Sequence, residues 1–409
     1  MTQCCIAGGG PAGLMLGYLL ARAGVEVVVL EKHADFLRDF RGDTIHPSTL
    51  TLLDDLGLLE AFLRLPHQEV AQLTADVYGR VVTIADFRHV AAARQFLVLV
   101  PQWDFLDFIA AQARDLPNFS LMMGTKARRV LEDRQRIVGV EAEGPDGVFT
   151  VTAPLVVAAD GRHTTLRGSA GLGSDDLGAP IDVLWFRLPR DHARDRAETG
   201  GVIRRGTMVV TLNRGDYWQC AYVIPKGALQ SLKEQGIDAF RQRVAAAATF
   251  LSDRIGTLTG WDDVKLLSVQ LSHMPQWYRD GFLCIGDAAH AMSPIGGVGI
   301  NLAIQDAVAA ANLLARPLLD DQLTGEHLAA VQRRRQWPAR VTQRFQRALQ
   351  DGVLAPVLAG LGTPDDLPLQ LKLLDRFPML RRLPARLIGI GIRPERIRTG
   401  PVASPHPAP

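Results

Sequence analysis

The chain has 409 residues, 47% of them hydrophobic and 22% charged, and its formal net charge is +2. Those values exclude a largely disordered chain, and so small a net charge makes no field that would steer the protein to nucleic acid. The four cysteines (Cys4, Cys5, Cys220, Cys284) show no CxxC spacing, which predicts buried core thiols and neither a disulfide frame nor a metal site.

The opening MTQCCIAGGG carries no basic region followed by an apolar stretch, so no secretory signal is expected. No run approaches the ~20 apolar residues that span a bilayer, and a cytoplasmic location is the expectation. The length predicts two lobes and a tail.

In chain order, Gln3 to Ala7 reads as a short strand, GGGPAG as a turn, LMLGYLLARAG as a helix and VEVVVLEK as a second strand. Gly8, Gly10 and Gly13 have the GxGxxG spacing, with Pro11 and Ala12 between them. Gly8 allows the tight turn, Gly10 lets a pyrophosphate approach the backbone, and Gly13 lets the helix pack closely on the sheet. The helix start turns free N–H groups toward the phosphates. Glu31, followed by Lys32, ends the second strand 18 residues after Gly13. A carboxylate there accepts from a ribose diol and repels a 2′-phosphate. This unit predicts a dinucleotide, and alone it does not separate NAD from FAD.

The next motif is VVAADGRHTTLR, where an apolar strand ends at Asp160-Gly161 and Arg167 follows. Further on, the strand FLCIG ends at Asp287, and Pro294, Gly296, Gly297 and Gly299 form a turn that opens a long helix from about Ile300. A carboxylate at a strand's carboxyl edge suits a polyol. A helix N-terminus suits the anionic edge of a reduced flavin.

Taken in this order, the three segments resemble the FAD-dependent aromatic hydroxylases typified by p-hydroxybenzoate hydroxylase, which include ubiquinone-biosynthesis and antibiotic-modifying monooxygenases. The resemblance covers roughly residues 1 to 345. Gly8, Gly10, Gly13 and Glu31 match the family's first motif, and Asp160, Gly161 and Arg167 its second. Gly286, Asp287, Pro294, Gly297, Gly299 and Asn301 match its third, with Asp306 beyond.

The family implies that Asp287 holds the ribityl chain and that the Gly299 and Ile300 amides face the flavin O2. It also implies that Arg41 and Gln102 lie near the phosphates and ribityl. Pro294 and Arg41 are the positions it would bring close to the ring. The electrophilic oxygen is expected on a C4a-hydroperoxyflavin, so no acid–base dyad is required. The electron donor implied is NADH or NADPH, bound without a second Rossmann unit.

The fold expected is α/β: a Rossmann-type FAD-binding domain (1–70, 98–180, 270–345) with an inserted antiparallel-sheet substrate domain (71–97, 181–269). The runs LWFRLP, TMVVTL and DYWQCAYVIP read as adjacent strands. Trp185, Tyr217, Gln219 and Tyr222 are candidate substrate contacts. Along Tyr217 to Ile224 one face carries Tyr217, Gln219, Ala221 and Val223, the other Trp218, Cys220, Tyr222 and Ile224. The alternation does not say which face looks inward.

Residues 346–409 are expected to form a helical segment with a disordered tail in GPVASPHPAP. The basic, apolar stretch Leu369 to Arg398 reads as a helical cap, with peripheral contact to an anionic membrane as the alternative. The functional expectation is insertion of one oxygen atom from O2 into a small aromatic or polycyclic substrate. An FAD-dependent reductase and a drug-sequestering flavoprotein are the alternatives. WQCAYVIP matches only the ends of a halogenase WxWxIP stretch, and no lysine occurs between Lys32 and Lys126, which argues against halogenation. The oligomeric state stays open.

Overall fold

The computed structural model describes residues 2–37, 44–195, 199–360 and 369–400. The first unit forms as expected: strand β1 (Cys4–Ala7), helix α1 (Pro11–Arg22) and strand β2 (Val27–Leu30). β1 lies between β2 and Leu155–Ala158, parallel to both. Phe119–Met122 adds outside β2 and Phe282–Cys284 outside Leu155–Ala158, again parallel. Strand order therefore reverses at β1. β1 and Leu155–Ala158 are buried throughout, which is why they read as unbroken apolar runs rather than alternating ones.

Helix α1 sits close on this sheet because Gly13 and Gly17 carry no side chain. A Cβ at Gly13 would lie 1.9 Å from the Gly8 carbonyl oxygen, and one at Gly17 would lie 2.9 Å from Phe119 and Val29. The helix Val298–Leu319 packs beside α1, with Ala12 and Ala303 closing around Gly286. Contrary to the sequence reading, one stretch, Ile295–Leu319, is long and apolar enough to cross a bilayer, but 72% of its apolar window is buried inside the protein. A helix apolar on every side is what a core position demands.

The second sheet has seven strands in the order Lys265–Leu267, Ile181–Pro189, Tyr217–Pro225, Thr207–Asn213, Gly200–Arg204, Gln72–Val77, Arg80–Asp86. All neighbours are antiparallel except Gly200–Arg204 and Gln72–Val77, which run parallel. Chain from before and after the second motif thus meets in one sheet.

Its two faces are distinct. Trp218, Cys220, Tyr222 and Ile224 pack under the helix Ile237–Ala247 with Phe240 and Val244. Ile181, Val183, Ala221 and Val223 form the opposite face, with Trp185, Val210 and Ile295 against it.

The tail is partly helical. Gly325–Leu349 continues through a π-helical turn, Gln350–Leu354, into Ala355–Leu358, with no break at 346. Helices Leu369–Arg376 and Arg382–Gly389 follow. They pack on the second sheet's edge, Leu371 with Val77 and Val82, and Ala385 with Phe87. The chain then runs back over the first lobe, where Arg22 and Asn312 hold the Thr399 and Arg396 carbonyls. Of the tail expected to be disordered, 400–409, all but Gly400 lies outside the described residues. All four cysteines are free and buried, and burial pushes the Cys5 thiol up to about 12.

Candidate functional site

Four motif segments end side by side at the carboxyl edge of the parallel sheet. Gly8 follows β1, Glu31 follows β2, Asp160 follows Leu155–Ala158, and Gly286-Asp287 follows Phe282–Cys284. Backbone bonds hold these ends level: Gly8 N to Leu30 O at 2.8 Å, Ala159 N to Ala7 O at 2.8 Å, and Ile285 N to Ala158 O at 3.0 Å. The crevice outside such ends, where strand order reverses, is the place an α/β sheet offers a ligand. Gly8 has φ +107, and a Cβ there would lie 2.5 Å from the Ala159 carbonyl oxygen, so only glycine fits.

The residues present suit an extended FAD. Gly10, Gly161 and Gly299 are open: a Cβ added at any of them meets nothing within 4 Å. The Asp160 Oδ1 is buried and makes no hydrogen bond. Burial pushes its carboxyl up, while Thr164, the Thr165 amide and the Lys32 charge oppose that. A buried acceptor of this kind at a cleft wall is ready for a donor. Glu31 Oε2 accepts from the Gly9 amide at 2.8 Å and Oε1 from the His33 amide at 3.0 Å. Glu31 thus braces the glycine turn at the end of β2. Gln102 is half-buried in the first turn of Gln102–Arg114. Arg41 lies outside the described residues.

At the other end of the crevice, Gly296 and Gly297 adopt φ +75 and +62 and release the helix at Val298, two residues earlier than expected. Gly299 and Ile300 therefore sit in the first turn, where amides have no partner within the helix. The Asn301 side chain bonds within the protein. Its Oδ1 accepts from His46 N and Thr49 Oγ1, each at 2.8 Å, and its Nδ2 donates to Thr44 O at 2.9 Å and Gly297 O at 3.2 Å. A side chain with that many internal bonds ties the 44–49 segment to the helix start.

Below this turn lies a buried ionic chain that the motifs did not reveal. Asp306 accepts from Gly286 N at 3.1 Å, His290 Nε2 lies 2.5 Å from its Oδ2, and Arg335 Nε donates to its Oδ1 at 2.9 Å. Arg335 reaches on to Glu395 at 3.4 Å, and Arg334 donates to Glu395 at 2.6 Å. Asp306 and Arg335 are at most 1% exposed. Burial pushes the Asp306 carboxyl up, and the charges and hydrogen bonds of His290 and Arg335 overcome it, holding it below the usual range. Of its five side chains only Asp306 was noted beside a motif; Arg334, Arg335 and Glu395 lie far along the chain from it and carry no local pattern.

The FAD binding domain family matches residues 1–345. The 6-methylpretetramide 4-monooxygenase of Streptomyces rimosus is 35% identical over 338 residues, 82% of this chain and 80% of that enzyme. The chain belongs to the FAD-dependent aromatic hydroxylase family.

As a member of that family it is a flavin-dependent monooxygenase. The para-nitrophenol 4-monooxygenase of Pseudomonas sp. (strain WBC-3) is 25% identical over 74% of this chain and 75% of that enzyme. The crystal structure of p-nitrophenol 4-monooxygenase from Pseudomonas putida DLL-E4 superposes with a TM-score of 0.78 over 96% of this chain and 99% of that one, at 20% identity. That likeness shows a shared fold.

Within the hydroxylase frame the candidate substrate contacts separate. Trp185 pairs across the strands with Ala221, and Arg187 with Gln219, on the face that meets Ile295 beside Pro294. Tyr217 is half-buried at the strand's start, with the Arg187 guanidinium 5.0 Å above its ring. Tyr222 points to the other face and packs on Phe240, ring centroids 5.2 Å apart. Both faces are apolar because both are covered, so alternation alone could not choose between them.

Proposed function

We propose that this hydroxylase binds FAD along the strand ends, takes electrons from NADH or NADPH, and inserts one atom of O2 into a small aromatic or polycyclic substrate lying against the Trp185–Gln219 face. The observation that carries the reading is the alignment of Gly8, Glu31, Asp160 and Asp287 at four neighbouring strand ends. The name of the Streptomyces relative, which acts on a pretetramide, supports the polycyclic class.

In this reading Gly8, Gly10, Pro11, Ala12 and Gly13 hold the diphosphate through the glycine turn and the α1 N-terminus. Glu31 takes a ribose, with Lys32 at the rim, and Asp287 the ribityl hydroxyls. Asp160-Gly161 walls the middle of the cleft, near Gln102. The Gly299 and Ile300 amides stabilise negative charge on the ring's pyrimidine edge. Bound flavin supplies the oxygen activation. The chain's share is to keep water out and to hold the substrate carbon close: Trp185, Ala221, Val210 and Ile295 give an apolar wall, and Gln219 a polar mark for orientation.

The test is oxygen transfer. Purified holoprotein is reduced anaerobically with NADH or NADPH and then given ¹⁸O₂ with a panel of phenols and fused-ring phenols. One ¹⁸O in a product supports the proposal. Rapid reduction with no labelled product from any compound points to a reductase, and absence of nucleotide oxidation with tight ligand binding points to a sequestering protein.

A further inference from the structure

The loop at the ring end of the crevice has a support that lies outside the three motifs. Segment 291–295 leads from the Asp287 turn to Gly296-Gly297, yet it forms no strand or helix until Ile295. Its backbone polar groups are buried all the same: Ser293 is 1% exposed. Such groups need partners. Three glutamines on one face of the helix Gly325–Leu349 and the π-turn after it provide them.

Gln343 Nε2 donates to Ala291 O at 3.0 Å and to Ser272 O at 2.9 Å. Gln346 takes the Ser293 amide on its Oε1 at 3.2 Å and donates to Ser293 O and Ile295 O, both at 2.9 Å. Gln350 donates to Ser293 Oγ at 2.9 Å. All three glutamines are no more than 4% exposed. Spacings of three and four residues place them on one helix face, and each can both donate and accept, as a loop without its own ladder requires.

We propose that Gln346, flanked by Gln343 and Gln350, is a positioning residue that fixes the Ser293–Gly297 loop against the flavin ring. The inference rests on the FAD assignment above. Gln346 grips both sides of Pro294, through Ser293 and Ile295, so it sets where that turn and the first amides of Val298–Leu319 stand. Gln350 begins the π-turn whose last residue, Leu354, packs with Ile295 on the substrate-facing side of the second sheet. One helix thereby ties the ring-end loop to the substrate wall. A π-turn at that junction shifts the helix register, which brings Leu354 round to the sheet.

The test compares Gln346→Leu with the exposed Arg344→Gln on the same helix. The readouts are the FAD dissociation constant, from flavin fluorescence quenching, and the visible spectrum of the bound flavin. Gln346→Leu, which loses three buried hydrogen bonds, is expected to bind FAD about tenfold more weakly, because part of that loss falls on the loop's placement, and to shift the flavin bands. Arg344→Gln is expected to match wild type. If Gln346→Leu does not fold, Gln350→Leu, which removes a single bond to Ser293, is read the same way. Unchanged FAD affinity and spectrum in a folded variant, with only a lower melting temperature, overturn the proposal. A wild-type chain that binds no FAD refutes instead the assignment on which it rests.

Discussion

The Asp306 carboxylate accepts from the Gly286 amide at 3.1 Å, so a charge on the core helix anchors the strand end that carries Asp287. The same carboxylate holds His290 and Arg335. Removing one partner of a buried pair leaves an uncompensated charge, which costs about 3–5 kcal/mol. Asp306→Ala is therefore expected to lose stability on that scale and to release FAD on dilution. Urea unfolding with and without added FAD measures both.

Two glycines of the first motif differ in their surroundings, and so must their variants. A Cβ at Gly13 lies 1.9 Å from the Gly8 carbonyl, whereas one at Gly10 meets nothing. Gly13→Ala is expected to be insoluble or unfolded. Gly10→Ala is expected to keep the apo protein's melting temperature and to lose FAD affinity, because its methyl enters the space kept for the diphosphate. Circular dichroism and FAD titration separate the two.

Asp287→Ala is expected to purify with most of its FAD gone while its apo fold persists. A₄₅₀ against A₂₈₀ reads the loss. A fully yellow variant means that another group carries the ribityl contact.

The sheet faces give a kinetic contrast. Gln219→Ala should raise KM for any accepted phenol, since Gln219 stands on the face that meets Ile295. Tyr222→Phe should leave KM alone and cost at most a little stability, because Tyr222 packs on Phe240. A KM change in Tyr222→Phe would mean that the substrate reaches the other face.

His46 makes stability depend on pH. It is 1% exposed, and burial lowers its pKa from 6.5 to about 4, with the Ile388 and Gly296 carbonyls pulling the other way. Its Nδ1 lies 2.7 Å from Ile388 O. With the folded value depressed, the unfolded chain takes the proton first. The contribution is whole above about pH 6.5 and is lost as pH falls toward 4, on the order of 3 kcal/mol. His46→Asn should flatten that part of the stability curve, measured by urea unfolding between pH 7 and 4.

Local chemistry explains what could be read in advance. Gly8, Gly10, Gly13, Asp160 and Asp287 carry turns, a helix start and strand ends, features fixed by neighbours in sequence, and the structure sets Gly8, Asp160 and Asp287 after adjacent strands with Gly10 and Gly13 at the start of α1. Gln343, Gln346 and Gln350 could not be recognised, because polar residues at helical spacing in an arginine-rich stretch look the same whether they face water or a buried loop. The pairing of Arg335 with Asp306 and Glu395 depends on chain segments 29 and 60 residues away, and no local pattern encodes that. Asn301 was legible as a helix-start residue, but its side-chain bonds to Thr44, His46 and Thr49 join segments more than 250 residues apart and carry no local signal.

The most direct measurement is a titration of the purified chain with FAD, followed by flavin fluorescence and by absorbance near 450 nm. The account predicts one FAD per chain, bound tightly enough to survive gel filtration and released by Asp287→Ala. A wild-type chain that elutes colourless and leaves added FAD fluorescence unquenched would contradict it.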